Sequence, residues 1–372
     1  MTDAAEVTEV SRLELFFDLV FVFTITQFTT LLTRHATATG AAQTAVMLAI
    51  VWWMYGGYAW LTNLVPPDRA ARRIAMVCGM ASYLVLALTI PRAFHGEGLT
   101  FGLAYLLVVL VHGGLFTVST RPSLAIIYRG FFPVNVAFAV IVIVGGALGG
   151  TSQYVLWTLA ACAEWISPRL IPDQSHLLRA HHFVERHALV VLVALGESVV
   201  AVGIGASATS LDPATLTAIA LGMGMAGCLW WAYFGADDDL LRERGFVHAI
   251  AIGRRLVGVR AFGLVFVALL GAVVAFAAGV RHGVAAPGSH LGAPQALELG
   301  GGAALFLVAD QLSRAAMALG ISTMRMVTAL AAVCTVPIGM VLPAGVQEGA
   351  LIVVLAASFV VEQRATGSVP VS

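Results

Sequence analysis

Residues 188–206 read ALVVLVALGESVVAVGIGA, nineteen residues with a single charge, Glu197. A stretch this apolar matches the roughly 20 residues a helix needs to cross a hydrocarbon core. Lipid cannot satisfy backbone amides and carbonyls, so a spanning segment is either a helix or a strand of a closed barrel. The short alternating strands of a barrel are absent, which leaves the helix. Two questions follow: how many such helices surround this one, and why a carboxylate sits in its middle.

Working outward, comparable apolar runs occupy 13–33, 43–64, 74–91, 99–119, 131–149 and 153–170 before it, and 214–235, 256–280, 296–317, 325–342 and 346–362 after it. Of the 372 residues, 59% are hydrophobic and 11% charged, with a mean hydropathy of +0.92. That composition excludes a water-soluble enzyme and a nucleic-acid binder. The expected fold is an all-α polytopic transmembrane bundle of about twelve helices. Its parts are an N-terminal tail (1–12), a first six-helix half (13–170), a cytoplasmic linker (171–187), a second six-helix half (188–362) and a C-terminal tail (363–372).

All 20 basic residues are arginines, and their distribution predicts topology. The connections after the even-numbered helices, together with the helix ends beside them, hold 15 of them, and those after the odd-numbered helices hold 3, Arg34, Arg92 and Arg281. By the positive-inside rule both termini are cytoplasmic in a bacterial inner membrane. The first residues carry Asp3, Glu6 and Glu9, and no small-residue cleavage site follows the first apolar run, so that helix is expected to stay as an anchor.

The two halves echo one another. Trp52, Trp53 and Tyr55 recur as Trp230, Trp231 and Tyr233 at an offset of 178, and Asp18 matches Glu197 at an offset of 179. An arginine pair opens the third helix (Arg72, Arg73) and the ninth (Arg254, Arg255), while His112 with Asp310 and Glu164 with Glu362 share an offset of 198. A duplicated six-helix unit is expected, the copies related by a pseudo-two-fold axis along the membrane normal. Gly145, Gly146, Gly149 and Gly150 have the small-residue spacing of close helix packing in lipid. Cys78, Cys162, Cys228 and Cys334 lie in apolar runs without metal-ligand spacing and read as small buried residues. The tryptophan pairs read as interfacial anchors or packing.

Ionisable groups inside apolar spans are costly unless paired or wetted, so they are the candidate site residues. Glu14 and Asp18 are four apart and share a face of the first helix, with Arg12 at the same end. His112, Glu164, Glu197 and Asp310 lie in the fourth, sixth, seventh and tenth spans, and Asn135 adds a polar group to the fifth. In a structural reading Arg12 pairs with Glu14 or Asp18, and the remaining acids only fix helix register. In a functional reading Asp18 and Glu197 flank a central pathway for a proton or cation. His181, His182, Glu185 and His187 lie in the linker, where the spacing of His181 and Glu185 suits one helical face; the run reads as an amphipathic segment leading into the seventh helix, not as a metal site. Asp237, Asp238 and Asp239 with Arg242, Glu243 and Arg244 read as a solvated loop.

RLELFFDLVFVF at 12–23 and ERHALVVLVALGESVVAV at 185–202 resemble the bacterial low temperature requirement protein A family. In that family ELFFDLVFV lies on the first helix and an ER pair precedes LGES, here Glu14 to Val22 and Glu185, Arg186 before Leu195 to Ser198. Arg12, Phe16, Phe17 and Asp18 also make RxxxFFD, similar to the RxxxFSD of the endolysosomal potassium channel family, with Phe17 in place of the serine. Together the residues and resemblances lead to the expectation of a secondary transporter or ion pathway. Its partners are membrane lipid and a small solute or cation, with no nucleic acid and no cofactor. The alternatives are a membrane-embedded enzyme acting on lipid or isoprenoid at His181, His182 and Glu185, and a non-catalytic scaffold.

Overall fold

The computed structural model describes residues 10–117, 122–170, 177–207, 209–235, 238–254 and 256–367. Its helices are α1 (Arg12–Arg34), α2 (Ala38–Leu64), α3 (Ala70–Thr89), α4 (Gly98–Thr117), α5 (Pro122–Leu148), α6 (Gly150–Ile166) and α7 (Ala180–Ser207). They continue with α8 (Pro213–Phe234), α9 (Asp238–Ala251), α10 (Val265–Ala285), α11 (Ala293–Ala316), α12 (Thr323–Cys334), α13 (Val336–Val341) and α14 (Ala344–Gly367). Among the described residues ten helical segments are long and apolar enough to cross a membrane. The other two expected spans overlie α6, which is 17 residues long, and α11, which carries Glu298, Asp310 and Arg314. The chain is therefore an all-α, polytopic, integral membrane protein. One expected span, 325–342, is split into α12 and α13, because Pro337 at the start of α13 has no amide to continue the ladder.

By contacts the chain divides into two units. The first comprises residues up to Leu31, Ala42–Val190 and Phe246–Leu264; the second comprises Leu32–Ala41, Val191–Gly245 and Val265 onward. The first unit is built on an aromatic core. Phe17 stacks on Tyr58 at 5.1 Å and meets Tyr83 edge-on at 5.3 Å, and Trp52 stacks on Tyr55 at 4.7 Å. Val259–Leu264 winds as a π-helix, a form frequent at functional sites. Its carbonyls at Phe262 and Gly263 accept from Trp52 Nε1 at 3.2 and 3.1 Å, so Trp52 is an internal strut. Trp53 likewise donates to Asn135 Oδ1 at 3.1 Å. In the second unit Trp230 and Trp231 are exposed instead.

Glycine contacts set the closest helix pairs. A Cβ at Gly302 on α11 would lie 2.6 Å from the Phe276 backbone nitrogen on α10, and one at Gly279 would lie 2.6 Å from that of Leu299. Such approach is what small residues permit where lipid supplies no hydrophobic drive. Within 145–150 the expected packing holds for Gly145, against Trp157, and for Gly146, against Gly98. Gly149 and Gly150 do something different. Their φ values of +66° and +54° turn the chain from α5 into α6, a conformation that side chains resist.

Three expectations need correction. Residues 180–187, placed in a linker, are the first two turns of α7, because the inward face runs on from Val191 through His187 and Phe183. The segment containing Arg242, read as a solvated loop, is helix α9, and Arg242 is fully buried; Asp237 lies outside the described residues. Cys78, Cys162 and Cys334 are exposed and Cys228 is half-buried, because an apolar thiol suits the outer, lipid-exposed face as well as an interior.

Candidate functional site

The inward face of α1 runs through Glu14, Phe17, Asp18, Phe21, Ile25 and Phe28, while Arg12, Leu15, Phe16 and Leu19 point outward. Local chemistry fixes the first of these. Ser11 and Glu14 form the reciprocal S-x-x-E capping box: Glu14 N donates to Ser11 Oγ at 3.3 Å and Ser11 N donates to Glu14 Oε2 at 3.0 Å. The box anchors the helix start, and one turn later Asp18 enters the aromatic core.

The partner of these acids is Arg186, in the second turn of α7. Its Nη1 donates to Glu14 Oε1 at 2.6 Å and to Thr62 Oγ1 at 2.7 Å, and its Nη2 donates to Asp18 Oδ1 at 3.4 Å. The guanidinium lies 5.8 Å from the Tyr55 ring centroid and 6.0 Å from that of Phe17, within cation–π reach. Tyr55 Oη donates to Asp18 Oδ1 at 2.5 Å. His182, one helical turn before Arg186, places Nε2 3.4 Å from Glu14 Oε2. Its Nδ1 is 3.2 Å from Asn63 Nδ2, and Asn63 also pairs through its amide with the backbone of Arg179. Arg12 is exposed, so the role offered to it falls to Arg186.

Two carboxylates share one guanidinium here, and Glu14, Asp18 and Arg186 are each 1% exposed. Glu14 is saturated by Ser11, Arg186 and His182. Asp18 is not: Oδ1 takes both its bonds, and Oδ2 is buried with no hydrogen-bond partner among the described residues. Carboxylate oxygens left in this state are costly, so the excess negative charge calls for a proton or a bound cation. A small cavity lined by Leu61, Thr62, Val65, Pro67, Arg72, Met76 and Leu115 reaches the cluster at Thr62, whose hydroxyl also receives Arg186.

The second unit contains a different network. Asp310 Oδ1 accepts from Arg242 Nη2 at 2.5 Å, while Oδ2 accepts from Arg325 Nη1 and Gln311 Nε2, each at 3.0 Å. Arg325 Nε donates to Glu362 Oε1 at 3.1 Å, and the Arg242 guanidinium lies 4.0 Å from the Tyr233 ring centroid. Both oxygens of Asp310 are satisfied, so this network reads as a clasp between α9, α11, α12 and α14.

Of the remaining sequence candidates, Glu164 and His112 lie in the first unit and Glu197 in the second. Glu164 is fully buried, with Oε1 accepting from Tyr105 Oη at 2.6 Å. His112 is buried at 5.0 Å from the Tyr58 ring and packs on Gly57. Glu197 is buried in the second unit. The His181, His182 and Glu185 cluster is split: His181 and Glu185 face outward 3.9 Å apart, while His182 points inward to Glu14. Sequence reading missed Arg186 and Arg242 as partners. For Arg186 the available signal was the spacing of His182, Phe183, Arg186 and His187, which puts all four on one face of an α7 extended backward.

A family model for the bacterial low temperature requirement A protein matches residues 9–360, a span that takes in both networks except Glu362. An uncharacterized protein of Rhizobium meliloti (strain 1021) is 26% identical over 239 residues, which is 61% of this chain and 58% of that protein. The match therefore spans less than two thirds of that relative's length.

Proposed function

The chain belongs to the bacterial low temperature requirement A protein family, and we propose that it moves a proton or small cation, with Asp18 as the carboxylate that binds it. The observation that carries this reading is Asp18 Oδ2, buried and unbonded in a cluster where two acids face one arginine. Arg186 and Tyr55 hold Oδ1, so the free oxygen is presented in a fixed direction. Exchange at Oδ2 then leaves the capping box and the Glu14–Arg186 pair intact. Glu197, at the matching position of the second copy, is proposed to do for the second unit what Asp18 does for the first.

The arginine distribution supports a bacterial inner-membrane location with both termini cytoplasmic. An internal duplication is supported by the two WWxY tyrosines, since Tyr55 and Tyr233 each lie against a buried guanidinium. One observation favours a second reading: the 2.6 Å contact of Arg186 with Glu14 would equally suit a purely structural lock.

Flux in proteoliposomes separates the two. A screen over protons, potassium, sodium and small organic solutes is expected to find one conducted species, lost in Asp18→Asn and Glu197→Gln. A structural lock would leave any flux intact in Asp18→Asn while lowering thermal stability.

A further inference from the structure

A separate group of polar side chains lies in the second unit where α10, α11 and α14 meet, at the helix ends joined by arginine-poor connections. Glu348 on α14 is fully buried, and neither of its carboxylate oxygens has a hydrogen-bond partner among the described residues. Gly283 on α10 makes the space for it, since a Cβ there would overlap Glu348 Oε1. At the preceding residue, His282 Nε2 is 4.0 Å from Glu298 Oε2 on α11. That is beyond hydrogen-bond length, and neither atom has another hydrogen-bond partner among the described residues. The side chains of His282 and Glu298 are 27% and 8% exposed, so exposure falls stepwise from His282 through Glu298 to Glu348.

A buried carboxylate with both oxygens unbonded costs several kcal/mol unless its charge is cancelled. No arginine or histidine forms an ion pair with Glu348 among the described residues. Of the other helices packed on α14, α8 offers Cys228 and Tyr233, α13 offers no titratable side chain, and α12 offers Cys334 and Arg325, the latter bonded to Glu362 at the opposite end of α14. Arg281 precedes His282 on α10. The described residues hold no group of three His, Cys, Asp or Glu side chains able to bind a metal ion. The cap over this region is pinned by backbone bonds, Leu291 N to Gly339 O at 2.8 Å and Ala344 N to Ser289 O at 2.9 Å.

We infer that Glu348 is the proton-binding acid of a second site, loaded from the arginine-poor side through His282 and Glu298. The ligand class is the proton alone. The inference uses none of the residues around Asp18 and Arg186 and holds whether or not that cluster conducts.

Dicyclohexylcarbodiimide, an apolar reagent that adds to protonated carboxyl groups, tests this on the intact protein in detergent, with adducts mapped by peptide mass spectrometry. The expected result is a stable adduct on Glu348 that is absent in Glu348→Gln. Its yield should fall as pH rises, roughly tenfold per pH unit once the group is deprotonated. The wild-type yield and its pH profile keep the test decisive if Glu348→Gln misfolds. His282→Gln should fold normally, and after a jump to low pH the infrared carboxylic-acid C=O band of Glu348 should rise more slowly in it than in the wild type. An unlabelled Glu348 in folded protein at every pH, a pH-independent yield, or an equally fast rise of that band in His282→Gln would overturn the inference.

Discussion

Replacing Arg186 by glutamine removes the cation that, among the described residues, Glu14 and Asp18 share. The substitution deletes contacts of 2.6 Å to Glu14, 2.7 Å to Thr62 and 3.4 Å to Asp18. Breaking one side of a buried ion pair costs about 3–5 kcal/mol, chiefly because the remaining charge is stranded. A membrane protein unfolded in a bilayer or micelle also finds polar partners, so the lower end, about 3 kcal/mol, is expected. The geometry says which charge is stranded most: Glu14, the nearer acid. Glutamine at position 14 keeps the S-x-x-E/Q capping box and removes only the charge. Glu14→Gln combined with Arg186→Gln should therefore recover about 1.5 kcal/mol or more of the single-variant loss, a coupling typical of charged groups in contact. Unfolding by sodium dodecyl sulfate in mild detergent, followed by tryptophan fluorescence, measures all four corners of the cycle. Additivity within about 0.5 kcal/mol would show that the two side chains are energetically independent and refute the pairing.

Asp310→Asn should destabilise the second unit by about 3 kcal/mol or more, since Arg242 and Arg325 both lose their shared acid, and the same unfolding titration checks it. Gly302→Val places a branched side chain against the Phe276 backbone, and an overpacking cost of about 3 kcal/mol or loss of folded yield on size-exclusion chromatography is expected. Asp212 caps α8 by accepting from the Thr215 backbone amide at 2.8 Å, and this bond with Thr215 holds its carboxyl below the ordinary range. Its contribution is thus complete above the ordinary aspartate range and is lost as pH falls through the lowered value. The hydrogen-exchange protection of the first-turn amides of α8, corrected for the intrinsic pH dependence of exchange, should fall in acid for the wild type but not for Asp212→Ala.

The membrane fold was legible because hydropathy is a sum over about 20 residues, and one misread position does not change it. Runs such as 188–206 and 256–280 cannot be anything else in water-poor surroundings. Helix starts were harder. Arg186 stands in VERH, polar enough to look like a boundary, yet Phe183, Val184 and His187 around it are buried. A charge buried by pairing is invisible to a hydropathy sum, which counts Arg186 and Glu14 as two penalties, not one cancelled pair. Arg242 was hidden in the same way by the acidic run before it. Asp18 was recognisable because its neighbours Leu15 to Phe23 are all apolar. Glu298 and Glu348 sit within a turn or two of their helix starts, where an acid is ordinary, so only the tertiary burial distinguishes them.

The most direct measurement is ion-driven flux into proteoliposomes containing wild-type protein or Asp18→Asn, matched for folded protein by size-exclusion chromatography. If Asp18 Oδ2 binds the moving species, the wild type carries a flux that the asparagine variant loses while remaining folded. Equal flux through both would contradict the assignment.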